Sequence, residues 1–172
     1  MFACDARGSP VLSGAELVYA DGDMHAPPHL HVRATPLLHD FLIDSAKRLP
    51  DKVALVCQKK RLTYKDIDDR SNALAAFLET NGVERGDRVV VFADNTVETV
   101  IAFWGVLKAN AIVSIVNPLT KADKLKYLLN DCRARVLVSD AHIANVFEAA
   151  VPDAPHLKTT IVSGDYPKEK LA

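Results

Sequence analysis

From Arg61 to Thr120 the chain reads as helix, strand, helix, strand with almost nothing left over, an alternation that points to a fold built on a parallel sheet. After Thr63-Tyr64, the apolar or small positions Ile67, Ser71, Leu74, Ala75 and Leu78 fall at offsets of four, seven, eight and eleven, along one face of an α-helix. Thr63 with Asp66 fits a capping box, and Gly82 ends the helix. Beyond the turn Arg85-Gly86-Asp87 comes Val89-Val90-Val91-Phe92, too short for a helix and apolar on both faces, as in a central strand covered from both sides. Asn95 and Glu98 repeat the capping pattern ahead of Val97, Val100, Ile101, Trp104 and Leu107. Phe103 and Val106 make this second helix apolar nearly all round, so it is expected to be buried. Ile112 to Val116 is another apolar strand, stopped by Asn117-Pro118.

The flanks extend this unit. Leu37 to Leu49 carries Leu37, Leu38, Phe41, Ile43 and Ala46 at helical spacing and is stopped by Pro50. Val53 to Cys57, the polar turn Lys59-Lys60 and Leu62 to Tyr64 form a β-hairpin. Past Pro118, Thr120 and Asp123 give a third capping pattern, and Ala122, Leu125, Leu128 and Leu129 a short helix with Lys121, Lys124 and Lys126 turned outward. Those lysines are better read as a solvated face than as phosphate ligands. Arg135 to Val138 is a strand, Asp140 caps a helix from Ala141 to Ala150, and Thr159 to Val162 is a last strand. The fold class is therefore α/β: a parallel sheet with right-handed crossovers and helices on both faces, plus a small N-terminal hairpin.

Residues 1–36 differ from the rest. Gly8-Ser9-Pro10, Asp21-Gly22-Asp23 and Pro27-Pro28 break any periodicity, so 1–36 is expected to be a flexible leader and 37–172 the folded domain. His25, His29 and His31 lie in that leader without a second anchored ligand group, which disfavours a metal site. Twenty-one basic against twenty-two acidic residues leave no electrostatic case for nucleic acid or an anionic membrane. Cys4, Cys57 and Cys132 are too scattered for a disulfide framework, and no apolar run reaches spanning length. A cytoplasmic protein without a membrane span is expected.

The stretch LTYKDIDDRSNALAAFLETNGVERGDRVVVFADNTVETVIAFWGVLKANAIVSIVNP resembles the opening of the adenylate-forming, AMP-binding superfamily: acyl-CoA synthetases, luciferase-like enzymes and the adenylation domains of peptide synthetases. The resemblance lies in the LTY start, the small-residue helix, the Gly-Asp-Arg-Val entry to a strand, the Asn after it, the long helix and the Asn-Pro after the next strand. It covers about Leu37 to Val162. Two positions depart from the pattern: Asn110 stands where the family usually has Gly, and Ile115 or Val116 where it usually has Pro. LLHDFLIDSAKRLPDKVALV and TKADKLKYLLNDC look most like bacterial acyl-CoA ligases, including those associated with exosortase-type protein sorting.

The resemblance implies an AMP-forming carboxylate–CoA ligase that uses ATP, Mg²⁺ and CoA on a carboxylic acid substrate. The family's phosphate loop, Tyr-Gly-x-Thr-Glu segment, ribose-binding Asp and catalytic Lys would all fall C-terminal to the matched part. No catalytic, cofactor-binding or metal residue is therefore assigned, and the chain is expected to be an inactive N-terminal fragment. Ser163-Gly164-Asp165 resembles the ribose-binding Thr-Gly-Asp but comes too early in chain order. Surface exposed by the missing parts is expected to favour a homo-oligomer. The alternative is a free-standing noncatalytic protein-binding module, or half of a split ligase. A nicotinamide or P-loop enzyme is disfavoured, because neither G-x-G-x-x-G nor G-x-x-x-x-G-K-[ST] occurs and the turn after Phe92 is Ala93-Asp94-Asn95-Thr96. Arg85-Gly86-Asp87 spells an adhesion tripeptide but sits where a turn is needed.

Overall fold

The computed structural model describes residues 36–167 and, as a separate unit, a strand pair in which Ala3–Cys4 (β1) runs antiparallel to Pro10–Val11 (β2). The remainder of the expected leader, with His25, His29 and His31, lies outside the described residues. From Pro36 onward the elements are α1 (Leu38–Arg48), β3 (Val53–Cys57), β4 (Lys60–Thr63), α2 (Tyr64–Thr80), β5 (Arg88–Phe92), α3 (Val97–Lys108) and β6 (Ile112–Val116), then α4 (Ala122–Asp131), β7 (Val136–Asp140), α5 (Ala144–Ala150) and β8 (Thr159–Ser163).

Four strands form a fully parallel sheet in the order β6-β5-β7-β8. Alternate side chains of its central strands enter two cores, as the period-2 geometry of a strand requires. Val89, Val91, Val136 and Val138 pack with Ala75 and Leu78 of α2 and with Ala102 and Val106 of α3. Val90, Phe92 and Leu137 pack with Leu125 and Leu129 of α4 and with Phe147 and Ala150 of α5. A third cluster, Leu42, Leu62, Ile67 and Val97, seats α1 and the β3–β4 hairpin. The hairpin turn is Gln58-Lys59, with Gln58 at φ +53°, and Lys60 already belongs to the return strand.

The helix ends show which local patterns were decisive. At α2 the capping box forms as expected: the Asp66 amide donates to Thr63 Oγ1 at 3.1 Å, and the Thr63 amide donates to Asp66 Oδ2 at 2.9 Å. The Thr63 amide, and then its hydroxyl, hold the Asp66 carboxyl below its ordinary value of 3.8. A depressed carboxyl stabilises the fold above its unfolded pKa, and that contribution is lost as pH falls through the lower folded value. Thr63→Ala is expected to cost about 1 kcal/mol in urea denaturation near neutral pH. Asp66→Asn should flatten the loss of stability on the acid side of pH 3.8. An acid limb as steep as that of the unsubstituted chain would contradict this role.

After α2, Gly82 takes φ +76° and closes the helix, with Val83 N–H donating to Leu78 O at 3.0 Å. Asn110, where the family pattern has Gly, follows α3 at φ +56°. Among residues with a side chain, Asn is one of the few that visits this left-handed region routinely, so the departure keeps the turn. Three expected caps are corrected. Thr96, not Asn95, caps α3, because Thr96 is the extended residue whose hydroxyl accepts the Thr99 amide at 3.4 Å. Lys121, not Thr120, precedes α4 and makes no side-chain cap. Asn117 has drawn residues 117–120 into a turn, its Oδ1 accepting Leu119 N–H at 2.8 Å and its carbonyl the Thr120 amide at 2.9 Å. Asp140 caps nothing: a 3-10 turn, Ala141–Ile143, separates it from α5, and its carboxylate is used elsewhere.

The phase of α1 also differs from expectation. Its fully buried residue is Leu42, which the predicted stripe omitted, while Leu37, Leu38 and Phe41 are 55%, 52% and 60% exposed. Helix α3 is buried only in part: Val97, Thr99, Ala102, Gly105 and Val106 are buried, while Val100, Ile101, Phe103, Trp104 and Leu107 are half-buried. On the edge strand β6, Ile112 and Ile115 are more than half exposed.

Candidate functional site

The chain adds β6 on one side of β5 and then crosses to add β7 on the other. The carboxyl ends of β5 and β7 therefore flank a topological switch point, the crevice where open parallel sheets bind ligands. Three segments meet there: Ala93 to Thr96 after β5, Ser139 to Ile143 at the end of β7, and Ser163-Gly164 at the end of β8. Ser139 Oγ, fully buried, donates to Phe92 O at 2.7 Å. Asp140, 6% exposed, accepts the Asp94 amide on Oδ2 at 2.9 Å and the Ser163 hydroxyl on Oδ1. The Asp94 carbonyl in turn accepts Thr99 Oγ1 at 2.5 Å and the Thr96 amide at 2.8 Å.

With its backbone held at both ends, Asp94 directs its carboxylate to the rim, where Oδ2 lies 3.0 Å from His142 Nε2. The hairpin reaches the same end of the sheet: Lys60 Nζ pairs with Glu98 Oε1 at 3.0 Å, and Cys57 Sγ lies 3.7 Å from Asn95 O. Among the described residues, Asp94, Asp140 and His142 offer ligand atoms within 4.8 Å of one another. The hydrogen bonds above already account for all three groups, and a metal ion would have to displace His142 from Asp94. The Ser163 hydroxyl is committed to Asp140, so it is not paired with the imidazole as a nucleophile would be. Carboxylates can ligate Mg²⁺ beside a triphosphate, but both of these are engaged within the protein, Asp140 by the Asp94 amide and the Ser163 hydroxyl and Asp94 by His142, so the residues as placed do not present Mg²⁺ with free ligands.

The other residues singled out from sequence are placed as follows. Lys121 and Lys124 are exposed, whereas Lys126 is half-buried and pairs with Asp153 at 3.2 Å. Arg85-Gly86-Asp87 is a turn, with Gly86 at φ +87° and Asp87 Oδ2 accepting the Glu84 amide at 3.0 Å. Ser163-Gly164-Asp165 ends β8, with Gly164 at φ +90°. Cys57 and Cys132 carry free thiols, and burial pushes that of Cys132 up. An open groove of about 600 Å³ runs beside β8, lined by Phe147, Val151, Pro152, Leu157, Val162 and Tyr166. The Asp94–Asp140–His142 rim was missed in the sequence. Its one signal was two polar residues, Ser139-Asp140, closing an otherwise apolar strand pattern, a signal that a helix cap explains equally well.

The family model described as AMP-binding enzyme matches residues 42–172. A long-chain-fatty-acid–CoA ligase of Bacillus subtilis is 42% identical over 112 residues, 65% of this chain and 20% of that protein. A 4-hydroxybenzoate–CoA/benzoate–CoA ligase of Rhodopseudomonas palustris is 33% identical over 120 residues, 70% of this chain and 22% of that one. The crystal structure of the anthranilate CoA ligase AuaEII in complex with anthranoyl-AMP superimposes with a TM-score of 0.75 at 28% identity, covering 78% of this chain and 26% of that one. The chain thus spans about a fifth of the length of the curated relatives it matches.

Proposed function

The chain belongs to the AMP-binding enzyme family, and from that premise we propose that it is the N-terminal part of an ATP-dependent, AMP-forming carboxylate–CoA ligase. The observation that carries the reading is that the family match, residues 42–172, takes in the whole four-stranded sheet, and that relatives 42% and 33% identical over this stretch are CoA ligases. In the intact enzyme a carboxylate would attack the α-phosphorus of ATP, releasing pyrophosphate and leaving an acyl-adenylate. The CoA thiol would then attack the acyl carbon and expel AMP. Mg²⁺ would neutralise the phosphate charge in the first step. The role of this part is scaffolding: it supplies a rigid sheet and the ends of its central strands, while the phosphate-binding groups come from outside the described residues. The exposed apolar side chains of β6 and α1 are the faces on which the remainder of the ligase, or a second copy of the chain, would pack. No described helix is long and apolar enough to cross a membrane.

Pyrophosphate exchange into ATP tests both halves of the proposal. The chain alone, given a panel of fatty and aryl acids, is expected to stay at background. A chimera in which it replaces the matched stretch of the Bacillus subtilis ligase is expected to exchange. Exchange by the chain alone, or a folded chimera with none, would overturn the proposal.

A further inference from the structure

Strand β7 is buried at all five positions, yet its last two residues are Ser139 and Asp140. Burying a hydroxyl and a carboxylate is costly unless each is hydrogen-bonded, and a β-branched apolar residue would suit both the strand and the burial better. What the two polar groups do with their hydrogen bonds therefore shows what they are for. The side-chain bonds that Ser139 and Asp140 make to β5 and the loop after it lie outside the backbone ladder. Ser139 Oγ takes the carbonyl of Phe92, the last residue of β5, and Asp140 Oδ2 takes the amide of Asp94, two residues further on. The second carboxylate oxygen takes the hydroxyl of Ser163 at the end of β8. Side chains thus extend the β5–β7 pairing past the point where the ladder ends at Phe92 and Ser139, and one carboxylate joins three strand ends.

We infer that Asp140, assisted by Ser139, is a positioning residue of the switch-point crevice, fixing the loop Asp94 to Thr96 relative to the ends of β7 and β8. The assignment rests on and deepens the ligase reading by naming the residue that would hold the mouth of the switch-point crevice in its working geometry. The geometric part does not depend on which reaction occurs there. The loop's other bonds hold it less firmly to the neighbouring elements: Cys57 Sγ of β3 lies 3.7 Å from Asn95 O, the Asp94 carboxylate meets His142 at the exposed rim, and the bonds from Thr96 and Thr99 to the Asp94 carbonyl lie within the loop and α3. Loss of the Asp140 carboxylate would free the loop, and with it the Asp94 side chain that meets His142 at the rim.

Two substitutions separate positioning from simple packing. Asp140→Val keeps an apolar, strand-favouring residue in the buried position but cannot accept a hydrogen bond. Asp140→Asn can still turn its carbonyl to the Asp94 amide and its NH₂ group to the Ser163 oxygen. Hydrogen exchange on the 172-residue chain should show the Asp94 amide exchanging at least about tenfold faster in Asp140→Val, as expected for losing a charge-assisted bond. Asp140→Asn should restore most of the protection, and amides in the middle of β5 should be unaffected in both. In the active chimera, Asp140→Val should lower kcat/KM by about tenfold or more, since small displacements at a site carry large rate penalties. The melting temperature should stay close to that of the parent. Unchanged Asp94 protection in Asp140→Val would overturn the inference, as would an Asn variant that behaves like Val. Should Asp140→Val not fold, Asp140→Ala, which also cannot accept the Asp94 amide, decides by the same Asp94 readout. A chimera without activity would count against the ligase reading, while the exchange data would still decide the positioning role.

Discussion

Replacing Phe92 with alanine is expected to remove about 3–5 kcal/mol of stability, the range for emptying a buried aromatic site. Phe92 is fully buried at the end of the central strand β5, and its ring lies in the cluster formed with Leu125, Leu129, Leu137 and Phe147. That cluster joins the sheet to α4 and α5, so the cavity would open where three elements meet and where none of them can move inward without leaving the others. A domain of this size has only about 5–15 kcal/mol in total, so a large fraction would be unfolded at modest urea concentrations. Phe92→Leu keeps most of the volume and should recover more than half of the loss. The measurement is urea denaturation followed by far-UV circular dichroism. A shift equivalent to less than about 1 kcal/mol would show that the site can collapse and that the α4–α5 face is looser than its burial implies.

Gly105→Val should be nearly as damaging, for the opposite reason. Helices α2 and α3 approach so closely at Gly105 that an added Cβ would sit 2.9 Å from Leu74 Cδ2 and 3.0 Å from both Leu74 Cβ and Cγ. A methyl terminus can swing aside, but Cβ is fixed to the backbone, so the helices themselves must part. Overpacking of this kind costs about 1–3 kcal/mol, and valine's second branch places the expected loss at the upper end. Replacing glycine within a helix contributes less than about 1 kcal/mol in favour, which does not offset it. The displacement would propagate one turn along α3, where Lys108 Nζ, its side chain 6% exposed, reaches Asp68 Oδ1 and Asn72 Oδ1 on α2, each at 2.7 Å. Leu74→Ala removes two of the three clashing atoms. The double substitution should therefore be less destabilised than the sum of the single ones by about 1 kcal/mol or more, within the usual range for residues in contact. Additive losses would mean that Leu74 is not what Gly105 makes room for.

The amino-acid order alone determined the elements and their class. Val89 to Phe92 has no polar face, and such a strand is stable only between two helical layers; the helices that supply them are visible as the Ile67-to-Leu78 stripe and the apolar run from Val97 to Leu107. The capping box at Thr63, the closing Gly82 and the Asn-Pro stop after β6 are local, because each depends on atoms only a few residues apart in the chain. What failed from sequence were choices between neighbours with equivalent chemistry. Asn95 and Thr96 can both cap a helix, and only the backbone angles of the folded chain select the threonine. Leu38, Phe41 and Leu42 can all face inward, and the position of α1 against Leu62, Ile67 and Val97 selects Leu42. Asp140 is the clearest case. Its sequence neighbours make it a helix cap, but its partners, the Asp94 amide and the Ser163 hydroxyl, lie 46 and 23 residues away, and they come within reach only when β5, β7 and β8 are side by side. A buried carboxylate goes to the donors that the assembled sheet presents, because leaving it unpaired costs more than forgoing a local cap; that is why the rim of the crevice was settled by the tertiary structure.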